Sequence, residues 1–538
     1  MSAPRKLSLG RMAMFSGIVT VGVLVALNIG IEELEDRELQ STTVDEGSVQ
    51  FLEERAFESD GSLWRTSDYG RKQLIESEFA KQKSGVFRVF VLGGSFAMGT
   101  PYVNQHSSGS KGGIADFLTG MFEDQSSPLQ LEVINAAAGG QDSSRVRQLA
   151  EEVLDYEPDV LVVATCNNEG APLPSRLSEY LNRQGGFRFL KKLVPSSDAT
   201  RPGWYTPQDE ITESVRDGFR QNLGDLLDRA EESGVPVLLA TLPINLRYGG
   251  FDPGHFIGGE EDEDALQLPE DAAPSGPAPA ELALRADTPA VFAAFPCRAG
   301  IQLFEAEEYS QALPLLNRCL QTPSDPISEA PFISTYISLA NLELGRLDPL
   351  ASERLRVRWG ACLSEAILMH FDGGHRSALE RLQSCEEHPA DVFRWMGRSA
   401  LALGELSRAR DYFVQSVELR PNNRCRPSFN EIIRDEAAAR DGVTLVDLDA
   451  VARSSTATGL PGSELFLDSC HLRWQGYLKM AQAFGDALVK LGGDWSPTER
   501  QAPDWASVWG LPEGPAYEHV LFGLERTGKA RKLKEGGP

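Results

Sequence analysis

Ser95 follows two glycines at the end of an apolar run, VFRVFVLGGS. A serine hydroxyl is a weak nucleophile until a neighbouring base takes its proton. Far downstream, FLDSCHLRWQGYLKMA sets Asp468 and His471 three residues apart, ahead of a stretch with Tyr477, Met480, Ala481, Phe484 and Leu488 on one helical side. A histidine supplies such a base, and a carboxylate fixes its tautomer and orientation. Two further loops can offer N–H groups to a developing oxyanion. They are NAAAGGQDSS, with Gly139 and Gly140, and TCNNEG, with Asn167 and Asn168. Each motif alone is weak. Gly-Gly-Ser suits a simple turn, Asn suits any loop, and Asp252–His255 and Asp372–His375 repeat the D-x-x-H spacing. Only Asp468–His471 belongs to a strand-and-helix context. The combined chemistry is nucleophilic acyl transfer.

Parallel strands must position these loops. Buried apolar runs of strand length occur at 86–92, 131–135, 160–165, 235–241 and 443–449. Helical stretches separate them, among them 144–156, 213–233 and 430–440. Continuous β-branched runs between helices predict an α/β fold with a parallel sheet covered on both faces. All four motifs then fall at the C-terminal ends of strands, the edge at which open α/β sheets build sites.

The alternation breaks between the fourth and fifth strands. Residues 249–290 are rich in Gly, Pro, Asp and Glu and read as a solvated linker. Residues 291–422 carry helical patterning without a strand signal and repeat weakly. Gly300, Tyr309, Ala312 and Cys319 match Gly397, Leu406, Ala409 and Ser416 with the same spacings of nine, three and seven. This resembles tetratricopeptide repeats, in which small residues let paired helices approach closely. A generic helical bundle is the competing reading. Cys297 and Cys319 are 22 apart and Cys362 and Cys385 are 23 apart, so each pair is placed to bridge the two helices of one unit. Of Cys166, Cys425 and Cys470, a weak preference pairs Cys425 with Cys470. Zinc-type cysteine spacing is absent from the sequence, which argues against a structural metal site.

Met12–Ile31 is an uncharged run of 20 residues, with Arg5, Lys6 and Arg11 before it and Glu32, Glu33, Glu35 and Asp36 after it. About 20 helical residues cross a bilayer core, and the charge switch places the chain beyond residue 32 on the exported side. A cleaved signal peptide is the rival; its apolar region is usually about 7–15 residues. With 52 basic and 78 acidic side chains the net charge is −26, which argues against a nucleic-acid binder. A hydrophobic share of 41% excludes wholesale disorder in this 538-residue chain.

Together the four motifs resemble the SGNH (GDSL-like) hydrolase superfamily over residues ~86–250 and ~423–492. The resemblance implies a Ser95–His471–Asp468 triad and an oxyanion hole from Ser95, Gly140 and Asn168. Gly139 competes with Gly140, and Asn167 with Asn168. Two departures stand out: Gly-Gly-Ser in place of Gly-Asp-Ser, and Cys-Asn-Asn-Glu where Gly-x-Asn-Asp is common. The expected organisation is a membrane anchor (1–35), a stalk or lead-in (36–85), the first hydrolase part (86–250), a linker (251–290), the repeat-like insertion (291–422), the second hydrolase part (423–495) and a tail (496–538). The expected protein is a single-pass, exported serine hydrolase without a cofactor or metal. It would act on carboxylic esters such as O-acyl groups of polysaccharide or lipid. Alternatives are an O-acyltransferase with the same triad, or an inactive domain serving as a scaffold whose repeats bind a protein partner. The linker and the flanking strands also suggest that the insertion is separable from the chemistry.

Overall fold

Val86–Gly93 (β4), Gln130–Asn135 (β5), Val160–Ala164 (β6), Val237–Thr241 (β7) and Val443–Asp447 (β8) form one five-stranded parallel sheet in the computed structural model, in the order β5-β4-β6-β7-β8. The structure describes residues 55–68, 70–103, 111–123, 130–169, 213–249, 296–320, 331–420, 424–491 and 502–511. The apolar run 12–31 and the linker 251–290 lie outside the described residues. Among the described residues no helix is long and apolar enough to cross a membrane.

The sheet is a mixed α/β layer structure, as the strand pattern predicts. Every residue of β6 and β7 is buried, because helices cover both faces. Those helices include Ser95–Met98 (α1), Ile114–Phe122 (α2), Ser143–Val153 (α3) and Glu213–Glu232 (α4). The charged Arg88 inside β4 is fully buried. It is satisfied by Glu132 at 2.5 Å, the Tyr156 carbonyl at 2.6 Å and the Ala80 carbonyl at 2.7 Å. A buried cation persists only with such partners.

Two segments that the sequence assigns to a stalk and a tail are part of the core. Phe57–Asp60 (β1), Leu63–Thr66 (β2) and Glu78–Ala80 (β3) make a small antiparallel sheet. Phe57 and Phe79 pack edge-on against each other and against Phe90 of β4. At the other end, a helix at Ala502–Trp509 sets Trp505 against Phe117. Gly120 makes room for it, since a Cβ there would lie 2.7 Å from the indole.

Residues 296–320 and 331–420 are mostly helical: Pro296–Glu305 (α5), Tyr309–Cys319 (α6), Pro331–Glu343 (α7), Ala351–Phe371 (α8), His375–Gln383 (α9), Ala390–Ala402 (α10) and Leu406–Leu419 (α11). The matched glycines do the same job in two helix pairs. A Cβ on Gly300 would lie 3.0 Å from Leu316, and one on Gly397 would lie 2.8 Å from Phe413. Disulfides join Cys297 to Cys319 and Cys362 to Cys385, the pairs that the separations predict. The preference for Cys425–Cys470 is overturned, because Cys425 is bonded to Cys166. Cys166 lies two residues beyond β6, with its Cα 5.0 Å from that of Cys425, just before Pro427–Ala438 (α12). The helical region is also less separate than the linker composition suggests. Ala400, Ala409, Phe413 and Val417 share one apolar cluster with Ile244, Leu246 and Leu460.

Candidate active site

Ser95 is the first residue of α1, directly beyond β4. The turn before it depends on two glycines for different reasons. Gly93 has φ 151°, and a Cβ there would lie 2.1 Å from the Ala164 carbonyl oxygen of the neighbouring strand. At Gly94 a Cβ would come within 2.7 Å of Asn168 Nδ2. Glycine therefore lets the Asn168 amide lie directly over the turn that presents Ser95.

His471 closes the gap from the far end of the chain. Its Nε2 is 2.7 Å from Ser95 Oγ, and its Nδ1 is 2.8 Å from Asp468 Oδ2. The other carboxylate oxygen of Asp468 accepts the backbone N–H groups of Cys470 at 2.9 Å and His471 at 2.7 Å. The D-x-x-H spacing thus wraps the loop around its own carboxylate. This loop leads into Trp474–Lys490 (α13), whose Tyr477 hydroxyl donates to the Thr100 carbonyl at 2.8 Å. That bond ties the helix behind His471 to the loop after α1. Burial alone would lower the His471 pKa. The Asp468 carboxylate, and then Cys470, outweigh burial and raise it above the ordinary imidazole value.

The competing candidates separate by their contacts. Asn168 Nδ2 donates to the Gln141 carbonyl at 2.8 Å, beside the Ser95 turn. Asn167 turns inward, where its Oδ1 accepts the Cys425 N–H at 2.8 Å. Gly140 has φ 70°, which favours glycine, whereas Gly139 is exposed, with nothing among the described residues within 4 Å of an added Cβ. Of the look-alike pairs, Asp252–His255 lies outside the described residues. His375 sits in the helical region, with its Nδ1 3.3 Å from His370 Nδ1.

One contributor, the glutamate of the third motif, carries no role in the sequence reading. Glu169 accepts the Ser143 N–H at 2.6 Å and the Ser143 hydroxyl at 3.0 Å, tying the Asn168 loop to the start of α3. Burial, and then the Asp142 charge, push its pKa up to about 8 against the pull of these bonds. Asp468, Cys470 and His471 also bring three potential metal-ligand atoms within 4.8 Å of one another. Both ring nitrogens of His471 are already engaged by Asp468 and Ser95, so an ion would have to displace one of them.

The arrangement can do one thing directly: accept the Ser95 proton at His471 Nε2 while Asp468 holds the opposite ring nitrogen. No family model matches the chain, and no curated protein or solved structure matches it.

Proposed function

We propose that the chain is a serine hydrolase of the SGNH type that cleaves carboxylic esters. The observation that carries this reading is the Ser95–His471–Asp468 line of contacts, 2.7 Å and 2.8 Å long, assembled from residues 376 positions apart. His471 accepts the Ser95 proton as the hydroxyl attacks the ester carbonyl. The tetrahedral oxyanion draws N–H groups from Ser95, Gly140 and Asn168. His471 then returns the proton to the leaving alcohol, and water repeats the cycle on the acyl-enzyme. Asp468 holds the imidazole in the tautomer with its proton on Nδ1.

The doubly wound order β5-β4-β6-β7-β8 supports the superfamily reading, since Ser95 and Asn168 follow β4 and β6, the strands beside the switch point. The equivalent roles of Gly300 and Gly397 support the tetratricopeptide-like reading of the insertion. Three disulfides suit an oxidising compartment, and with the apolar run 12–31 they support an anchored, exported protein. O-acylated polysaccharide or an ester lipid outside the membrane is the substrate class that fits this location. The test is labelling of the full-length protein with a fluorophosphonate, read by intact mass. A single adduct that disappears in Ser95→Ala supports the reading, and equal labelling of both proteins overturns it.

A further inference from the structure

The segment Ile244–Gly249, beyond β7, touches both the catalytic loop and the helical region. Asn245 Nδ2 donates to the Asp468 carbonyl at 2.7 Å. Arg424 Nη1 donates to the Asn245 carbonyl at 2.7 Å. The Leu246 N–H reaches the Pro461 carbonyl at 3.0 Å, and Arg247 pairs with Glu464 and Glu307. At the far end, the Gly249 N–H donates to Glu305 of α5 at 2.8 Å, and Arg394 of α10 donates to the Gly249 carbonyl at 2.7 Å. Tyr336 of α7 donates to the other Glu305 oxygen at 2.9 Å. Three helices of the insertion thus grip one end of a strap whose other end holds the backbone of Asp468.

Asn245 is the informative residue. It is 3% exposed, and its Oδ1 is buried with no hydrogen-bond partner among the described residues. An unpaired buried carbonyl oxygen costs stability, so this amide is a poor choice for packing alone. What the amide supplies is the Nδ2–H bond to the one residue that orients His471. The strap also borders a cavity of about 320 Å³ at Ile244 and Leu246, so less packing opposes its displacement on that side.

We propose that Asn245 is a positioning residue for the Asp468–His471 pair, and that the helical region sets the catalytic geometry through the strap. This rests on the triad reading. A catalytic group displaced by a fraction of its contact distance loses turnover without losing substrate binding. The experiment compares wild type, Asn245→Leu, Arg394→Met and Ser95→Ala as full-length proteins hydrolysing a 4-nitrophenyl ester, with thermal unfolding recorded in parallel. Asn245→Leu should lower kcat about tenfold or more at unchanged KM. Arg394→Met, which frees the distant end of the strap, should lower kcat in the same way but less. A purely structural role would move the unfolding temperature and leave kcat per folded molecule intact. Wild-type kcat in folded Asn245→Leu, while Ser95→Ala is inactive, overturns the proposal alone. If Asn245→Leu does not fold, wild-type kcat in Arg394→Met overturns it. Full activity in Ser95→Ala overturns the triad reading and this proposal with it.

Discussion

Cys166 and Cys425 join the end of β6 to the start of α12 across 259 positions of the chain. The bond lies one and two residues before the two asparagines of the third motif, and the Cys425 N–H also donates to Asn167 at 2.8 Å. A cross-link of this span restrains the unfolded chain and here also holds the Asn168 loop. The double change Cys166→Ser/Cys425→Ser should cost about 2–4 kcal/mol of stability. It should also lower ester turnover more than removal of Cys362–Cys385 does. Unfolding curves and turnover measured on both variants check this; equal turnover would show that the bond serves stability only.

Ser95 and His471 should fail as a unit, because a base is useful only when aimed at the nucleophile. Ser95→Ala or His471→Ala should lower kcat by roughly 10⁴ or more, with the double variant scarcely worse. His375→Ala should leave kcat near wild type, since its neighbour is His370 in the helical region. Loss of turnover in His375→Ala with retention in His471→Ala would reverse the assignment.

The acid limb of kcat/KM follows from the His471 environment. Asp468 raises the His471 pKa, so imidazolium persists to higher pH than usual and cannot accept the Ser95 proton. Activity should therefore rise with pH along a limb above about 6.5. In Asp468→Asn the charge is gone, so residual activity should show that limb at lower pH. A limb that does not move would assign it to another group.

The sheet was legible because its five strands are unbroken apolar runs, and the boundaries differ from the structure by at most two residues. The contact of His471 with Asp468 was legible because the two share one loop. The small sheet was not, since FESD, LWRT and EFA are too short to display an alternation. Nor was the link from Cys166 to Cys425, which depends on how β6 and α12 meet. Asn245 gave no signal at all: one amide in a loop shows its role only when its partner, Asp468, is in place. The polar linker suggested a detachable insertion because composition records solvation at the surface and not the apolar cluster of Phe413, Ile244 and Leu460 beyond it.

Gly94→Ala should mimic the loss of Asn168. A Cβ at residue 94 would sit 2.7 Å from Asn168 Nδ2 and push the amide from its place against the Gln141 carbonyl. Asn168→Ala should lower kcat by about 10²–10³, the cost of one oxyanion donor. Gly94→Ala should approach that loss, and the double variant should fall little further. Additive losses would mean that the alanine disturbs Ser95 itself.

Glu169 should give the protein a pH-dependent stability that one substitution removes. Its carboxyl is pushed from 4.5 up to about 8, first by burial and then by Asp142. The folded state therefore holds this proton more tightly than the unfolded chain. The stabilisation is fully present below pH 4.5 and is lost as pH rises through about 8. Glu169→Gln cannot ionise, yet it keeps an acceptor oxygen for the Ser143 N–H that Glu169 takes at 2.6 Å. Its stability relative to wild type should thus improve steadily on going from about pH 5 to about pH 9. Urea midpoints of the two proteins at both ends of that range measure the difference. Parallel profiles would show that the Glu169 carboxyl is solvated in the folded protein, and that the tie between the Asn168 loop and α3 is looser than its hydrogen bonds to Ser143 indicate.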